Sequence, residues 1–278
     1  MRRLFFLQFL LFLMLPKVIN GQTDPLAMQM AFADSLFSAG KFYDAFIEAE
    51  RLAFFDTLRA GLYWSTFLRG KCLKETGQFK DARKFFETAS LSTSDRNRKF
   101  EAEVEILKVL ILERRFRQFD DRSAKLEKVF PEKGKEFAYW KGWRHIFAGE
   151  WDDAKESLSR AGNSDDLIAL CDSAEDKSYS MTLGMVMSAI LPGAGQVYAG
   201  EYINPVITMA WVAFGSWLVV DAIKAHRYFD AFIEANYIML RFYRGNLSYT
   251  YDLITSKNTE IKNGILRFLQ NNYKGPKP

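Results

Sequence analysis

The chain has 278 residues, of which 49% are hydrophobic and 15% aromatic, with only 7 prolines. That is enough for one large or two modest domains and suits a mostly helical build. Most of the formal net charge of +4 sits in Arg2, Arg3 and Lys17. The remainder is close to neutral, which argues against a nucleic-acid binder held by phosphate neutralisation.

The first segment, Met1-Arg-Arg-Leu-Phe-Phe-Leu-Gln-Phe-Leu-Leu-Phe-Leu-Met-Leu15, has a basic start and a short apolar run. Pro16 to Gln22 follows, with Gly21 a small residue before a cut. This is the plan of a secretory signal peptide over 1–21, and an uncleaved signal anchor is the alternative. The run is short against the ~20 residues of a spanning helix. No cysteine follows it, so lipoprotein anchoring at a lipobox is excluded. Residues 22 onward are expected outside the cytoplasm.

Residues 26–175 show internal self-similarity. Ser38-Ala-Gly-Lys-Phe-Tyr-Asp-Ala45 matches Glu75-Thr-Gly-Gln-Phe-Lys-Asp-Ala82 and Phe147-Ala-Gly-Glu-Trp-Asp-Asp-Ala154. Each reads glycine, a polar residue, an aromatic, two variable positions, alanine. Gly40, Gly77 and Gly149 end a first helix. Ala45, Ala82 and Ala154 let the second helix approach, and small residues upstream, Ala33, Gly70 and Gly142, do the same in the first. The glycines lie about one and about two units of roughly 36 residues apart, which leaves room for a further unit. Its turn, Arg114-Arg-Phe-Arg-Gln-Phe-Asp120, has neither the glycine nor the alanine. A final helix is expected over 165–174, with Ser164 as its N-cap.

These residues resemble the tetratricopeptide repeat. The resemblance implies an all-α solenoid of stacked helix pairs, without catalysis of its own, that binds protein segments in a groove lined by first helices. Candidate groove residues are Tyr63, Phe67, Lys71 and Lys74 in the second unit and Tyr139, Arg144 and His145 in the fourth. His145 is expected to be structural.

Met181–Ala199 and Val206–Ile223 are uncharged apart from Asp221. At about 1.5 Å per residue each reaches ~27–28 Å, near the ~30 Å bilayer core. The first is broken at Pro192-Gly193, and the carbonyls that proline frees need partners in lipid. Gln196 and Tyr198 are the expected suppliers. The reading is a transmembrane helical hairpin within a module at 179–250, followed by a helical basic tail at 251–278. Pro192, Gly193, Gly195, Gln196, Tyr198 and Gly200 form a motif that resembles the hairpin of small bacterial two-helix membrane domains, loosely the TM2 domain. Tyr243-Arg-Gly-Asn-Leu-Ser-Tyr-Thr-Tyr251 resembles the segment that follows such hairpins.

Charge and the number of crossings point to opposite orientations. Residues 224–278 hold nine basic residues against four acids, and the positive-inside tendency puts them in the cytoplasm. Two crossings return them outside. A third pass over 229–243 and a re-entrant Pro-Gly segment are both open. The preferred reading is two passes, with an amphipathic helix on the membrane surface.

No catalytic site, cofactor site or metal site is expected. Cys72 and Cys171 have no ligand-like spacing, the 2 histidines cannot form a His-rich site, and the geometry of a disulfide disfavours pairing the two distant thiols. The expected function is a non-enzymatic scaffold anchored in the bacterial inner membrane. Its repeat domain lies in the periplasm and binds a protein partner in envelope assembly. The expected contacts are that partner and membrane lipid, not nucleic acid. The alternative is a membrane-protein assembly or insertion factor with the Pro-Gly hairpin as its working part.

Overall fold

The computed structural model describes residues 24–162 and 164–278; the signal-peptide reading of 1–21 lies outside them. The described residues are helical throughout, without a strand. Consecutive helices pack on one another.

From Pro25 to Ala161 the helices follow one another as four helix–turn–helix stretches. They are α1 (Pro25–Ser38) and α2 (Phe42–Phe55), α3 (Leu62–Glu75) and α4 (Phe79–Ser92), α5 (Arg96–Leu112) and α6 (Phe116–Val129), and α7 (Gly134–Ala148) and α8 (Trp151–Ala161); the first, second and fourth pack as pairs. Pro25 starts α1 where its missing N–H costs nothing, and the Asp24 side chain accepts from Leu26 N at 3.0 Å. The turns inside these stretches share one backbone bond pattern. Lys41 N donates to Leu36 O, Gln78 N to Leu73 O, Arg115 N to Leu110 O and Glu150 N to His145 O. Gly40, Gly77 and Gly149 take φ of +74°, +77° and +85° at these turns. Arg114 takes φ +56° at the third. The third unit, expected from spacing alone, therefore has the same turn, built on a residue that is strained there.

The described residues divide into two compact units, with the division between Val109 and Leu110. In the first, Ala33, Ala45, Ala49, Leu68 and Cys72 form a buried cluster, packed against Phe37, Phe42, Phe46 and Trp64. Gly70 is a packing residue: a Cβ there would lie 2.7 Å from the Phe86 ring.

In the second unit, a Cβ on Gly142 would lie 2.6 Å from Leu158. The closing helix α9 (Asp165–Lys177) extends beyond the expected 165–174. Ser164 precedes it but makes no side-chain cap bond; its hydroxyl donates to Gly162 O at 3.1 Å. The expected boundary near 175–179 falls inside this unit. Trp151 Nε1 donates to Ser178 Oγ at 3.1 Å, and Tyr179 exchanges two hydrogen bonds with Asn258 (2.9 and 2.8 Å).

The stretch 181–199 is not one helix. It forms α10 (Met181–Ile190) and the short α11 (Ala194–Tyr198), divided at Pro192-Gly193. The one described helix long and apolar enough to cross a bilayer is α12 (Ile203–Lys224), with mean hydropathy 1.8. The chain then returns through α13 (Tyr228–Glu234), a π-helical segment at Ala235–Met239 and α14 (Leu240–Asn272). The return is antiparallel to α12. Gly215 faces the Met239 backbone, Trp211 stacks on Phe242 at 4.8 Å, and Asn204 Nδ2 donates to Tyr249 OH at 2.7 Å. The helical tail thus begins at 240, not 251. Residues 228–243 pack against α12 and are not a separate amphipathic helix.

Candidate functional site

The expected groove residues of α3 are half-buried and already partnered. Tyr63 stacks on Phe67 one turn away, with ring centroids 5.4 Å apart. Its hydroxyl donates to Glu101 Oε2 (3.0 Å) or Arg98 O (2.9 Å). Burial, then the charge of Glu101, pushes the Tyr63 phenol above its ordinary range. Lys71 Nζ sits 4.3 Å over the Phe37 ring, a cation–π contact. Lys74 Nζ pairs with Glu105 at 2.7 Å, and Lys108 meets the same carboxylate at 2.6 Å. Burial alone would raise the Glu105 carboxyl, but Lys74 and Lys108 outweigh it and hold it below the carboxylate range. Glu105 belongs to this face and was not among the candidates; Arg69, whose guanidinium lies 4.7 Å over Phe85, is on the other side of α3. The acids Glu101, Glu103 and Glu105 were the available signal.

On α7 the candidates separate. Arg144 pairs with Asp120 at 2.7 Å and with Glu150, and lies 5.3 Å over the Phe116 ring. His145 Nδ1 is 2.7 Å from the same Glu150 carboxylate. His145, Glu150 and Asp153 bring ligand-type atoms within 4.8 Å of one another. The guanidinium already on Glu150 competes with a cation there, so we read this group as an ion-pair network. Tyr139 belongs to another contact. Its hydroxyl is 3.0 Å from that of Tyr273 and 2.6 Å from Pro276 O. Burial, then the Tyr273 hydroxyl, raises its phenol.

The Pro-Gly motif builds a polar notch. Proline at 192 has no N–H to offer the Ser188 carbonyl. Asn246 Nδ2 donates to that carbonyl instead, at 3.0 Å. Gly193, at φ +92°, donates its N–H to Asn246 Oδ1 at 2.8 Å rather than to the preceding helix. Tyr243 OH donates to Ala189 O at 2.8 Å. Gln196 Nε2 reaches Asn246 Oδ1 at 3.1 Å. Thr250 Oγ1 donates to Asn246 O at 2.9 Å. Its proton is thereby used, so the 2.8 Å contact between Ser188 and Thr250 is a Ser188 donation. Gly195 N then donates to Ser188 Oγ at 3.0 Å.

Ser188, Gln196 and Thr250 are fully buried, and Asn246 nearly so. Gly195 has no room for a side chain, since a Cβ would strike the Gly184 carbonyl. Tyr198 has a different part from the expected one: its hydroxyl accepts from Ser180 N at 2.9 Å, and its ring meets Tyr179 edge-on at 5.5 Å. Gly200 closes the motif at φ +81°. The freed carbonyls are therefore served by Asn246 and Tyr243, not by Gln196 and Tyr198.

Cys72 and Cys171 are both free and buried. Burial pushes their thiols up to about 11 and about 12, which leaves little thiolate for chemistry. No family model matches the chain, and neither a curated protein nor a solved structure matches it.

Proposed function

We propose that the protein is a non-enzymatic scaffold of the bacterial envelope, with a tetratricopeptide-like array in the periplasm and a TM2-like module in the inner membrane. Capture of a partner's protein segment on the first-helix faces is its action. The module holds the array beside other membrane components, where a high local concentration aids capture.

One observation carries the membrane part: in residues 179–255 a polar network is buried while many large apolar side chains are exposed. The Ser188–Asn246–Thr250 network is buried, while Val206 is 65% and Trp217 60% exposed along α12. Water disfavours that arrangement and hydrocarbon favours it. The antiparallel return of 228–249 supports a topology in which α12 goes out and the chain comes back, so 258–278 lies on the side of the array. Lys224 and Arg227 then mark the cytoplasmic end, in keeping with the positive-inside tendency. In this reading α10 and α11 are re-entrant.

Photo-crosslinking side chains placed at Lys71 and at Trp217 in the full chain, in cells, test the proposal. The expected outcome is a protein that stays in the membrane pellet through an alkaline wash, with discrete protein adducts from position 71 and lipid adducts from position 217. A soluble product, or position 71 without protein adducts, overturns it.

A further inference from the structure

Beyond α14 the chain turns extended at Tyr273 (φ −73°, ψ 128°) and lies on α7. The Tyr273 ring meets Trp143 edge-on, 5.8 Å between centroids. Tyr139 stands one turn before Trp143 on the same helix face. The two hydrogen bonds at Tyr139 fit one assignment: Tyr139 OH donates to Pro276 O, so the Tyr273 hydroxyl donates to the Tyr139 oxygen. Lys277 Nζ folds back to Gln270 O at 2.8 Å. Gly275 lets the segment close on itself, since a Cβ there would run into the Tyr273 ring. Upstream, the Lys262 stem rests on Gly149 at the end of α7.

The contact has the form of a peptide complex. One aromatic ring is packed on an aromatic face, one backbone carbonyl is received by a side-chain donor, and no ion pair locks them. Tyr139 was also a groove candidate on sequence grounds alone. We propose that Tyr273–Pro278 is a built-in ligand of the α7 face. It occupies in cis the place of an extended partner segment that offers a tyrosine ring to Trp143 and, three residues on, a backbone carbonyl to Tyr139. This rests on the segment-capture reading above. A tethered segment has an effective concentration on the order of 1 mM. A competing peptide with a dissociation constant of about 100 μM in the empty site is therefore weakened roughly tenfold.

The test uses the full chain in detergent micelles and a fluorescent peptide of residues 270–278. Three variants accompany it: a chain ending at Asn272, Tyr273→Ala, and Tyr139→Ala in the shortened chain. The expected result is binding to the shortened chain and to Tyr273→Ala, about tenfold weaker binding to the full chain, and loss of binding with Tyr139→Ala. Thermal melting shows that each variant is folded, and Tyr273→Ala keeps the test open if shortening unfolds the unit.

Equal binding to full and shortened chains overturns the proposal, as does no binding to either folded variant. A blockade that grows with chain concentration places the segment on a second copy and overturns the cis assignment. Crosslinking at Lys71, on α3 in the other unit, reads segment capture independently. Adducts there without peptide binding reject the built-in ligand alone, and absence of both rejects capture as well.

Discussion

The array and the module use the same device in different surroundings. In both, glycines bring helices into contact: Gly70 and Gly142 admit Phe86 and Leu158, and Gly184 and Gly195 admit Ile254 and Thr250. Around the array glycines the side-chain neighbours are apolar, and the Lys74–Glu105 pair is largely buried. Around the module glycines the neighbours are mixed: Gly184 meets the Ile254 side chain, and Gly195 meets the Gly184 carbonyl, the Ser188 hydroxyl and the Thr250 methyl. Hydrophobic burial drives the first arrangement. In the second, hydrogen bonds between buried groups tie the helices together; in the proposed membrane setting, hydrocarbon outside gives apolar side chains no reason to turn inward.

Breaking the module at its centre has the largest expected effect. Asn246→Leu leaves Gly193 N–H, the Ser188 carbonyl and Gln196 Nε2 without their partner. At about 1–3 kcal/mol per buried orphan group, the loss is about 3 kcal/mol or more. Thermal unfolding in micelles measures it, and a shift below about 1 kcal/mol would show that the notch does not fix the module.

The counterpart in the array is Gly142→Ala. The added Cβ overlaps Leu158, and overpacking costs about 1–3 kcal/mol. The same melt is expected to fall less than for Asn246→Leu, and the reverse order would sink the contrast.

The smallest effect is electrostatic. Glu105 is held below its unfolded value, so its contribution is fully present above the unfolded carboxylate pKa of about 4.3 and is lost as pH falls through the folded value. Glu105→Gln is expected to flatten the acid limb of the stability curve below about pH 4.5 and to leave Lys74 and Lys108 unpaired. An unchanged acid limb would remove this carboxylate from the account.

The helix pairs were legible because their turns repeat glycine, aromatic and alanine. The third escaped that pattern because Arg114 holds the positive φ that glycine holds elsewhere, and Phe119, fully buried, stands where the other units have alanine. A backbone bond pattern outlasts the side chains that usually mark it.

The break at Pro192 was legible too, and its consequence, two freed carbonyls, followed from proline chemistry. Their partners were not. Asn246 is 53 positions from Gly193 and 58 from Ser188, so nearby Gln196 and Tyr198 were the natural choice. The segment Tyr243–Tyr251 carried the answer in its tyrosine and asparagine. Spacing along the chain does not encode which distant strut lies alongside. Hydropathy likewise marked α12, but the fold-back at 191–193 made one expected crossing into two short helices.

At 33 residues and about 1.5 Å per residue, α14 runs some 50 Å without interruption. It carries Asn246 near one end and delivers Tyr273 at the other. A straight helix transmits displacement along its axis almost without loss. Slippage by one turn at the notch, about 5.4 Å, would drag the phenol of Tyr273 an equal distance from its seat on Tyr139. The asparagine therefore acts as the datum from which the far end of the rod is measured.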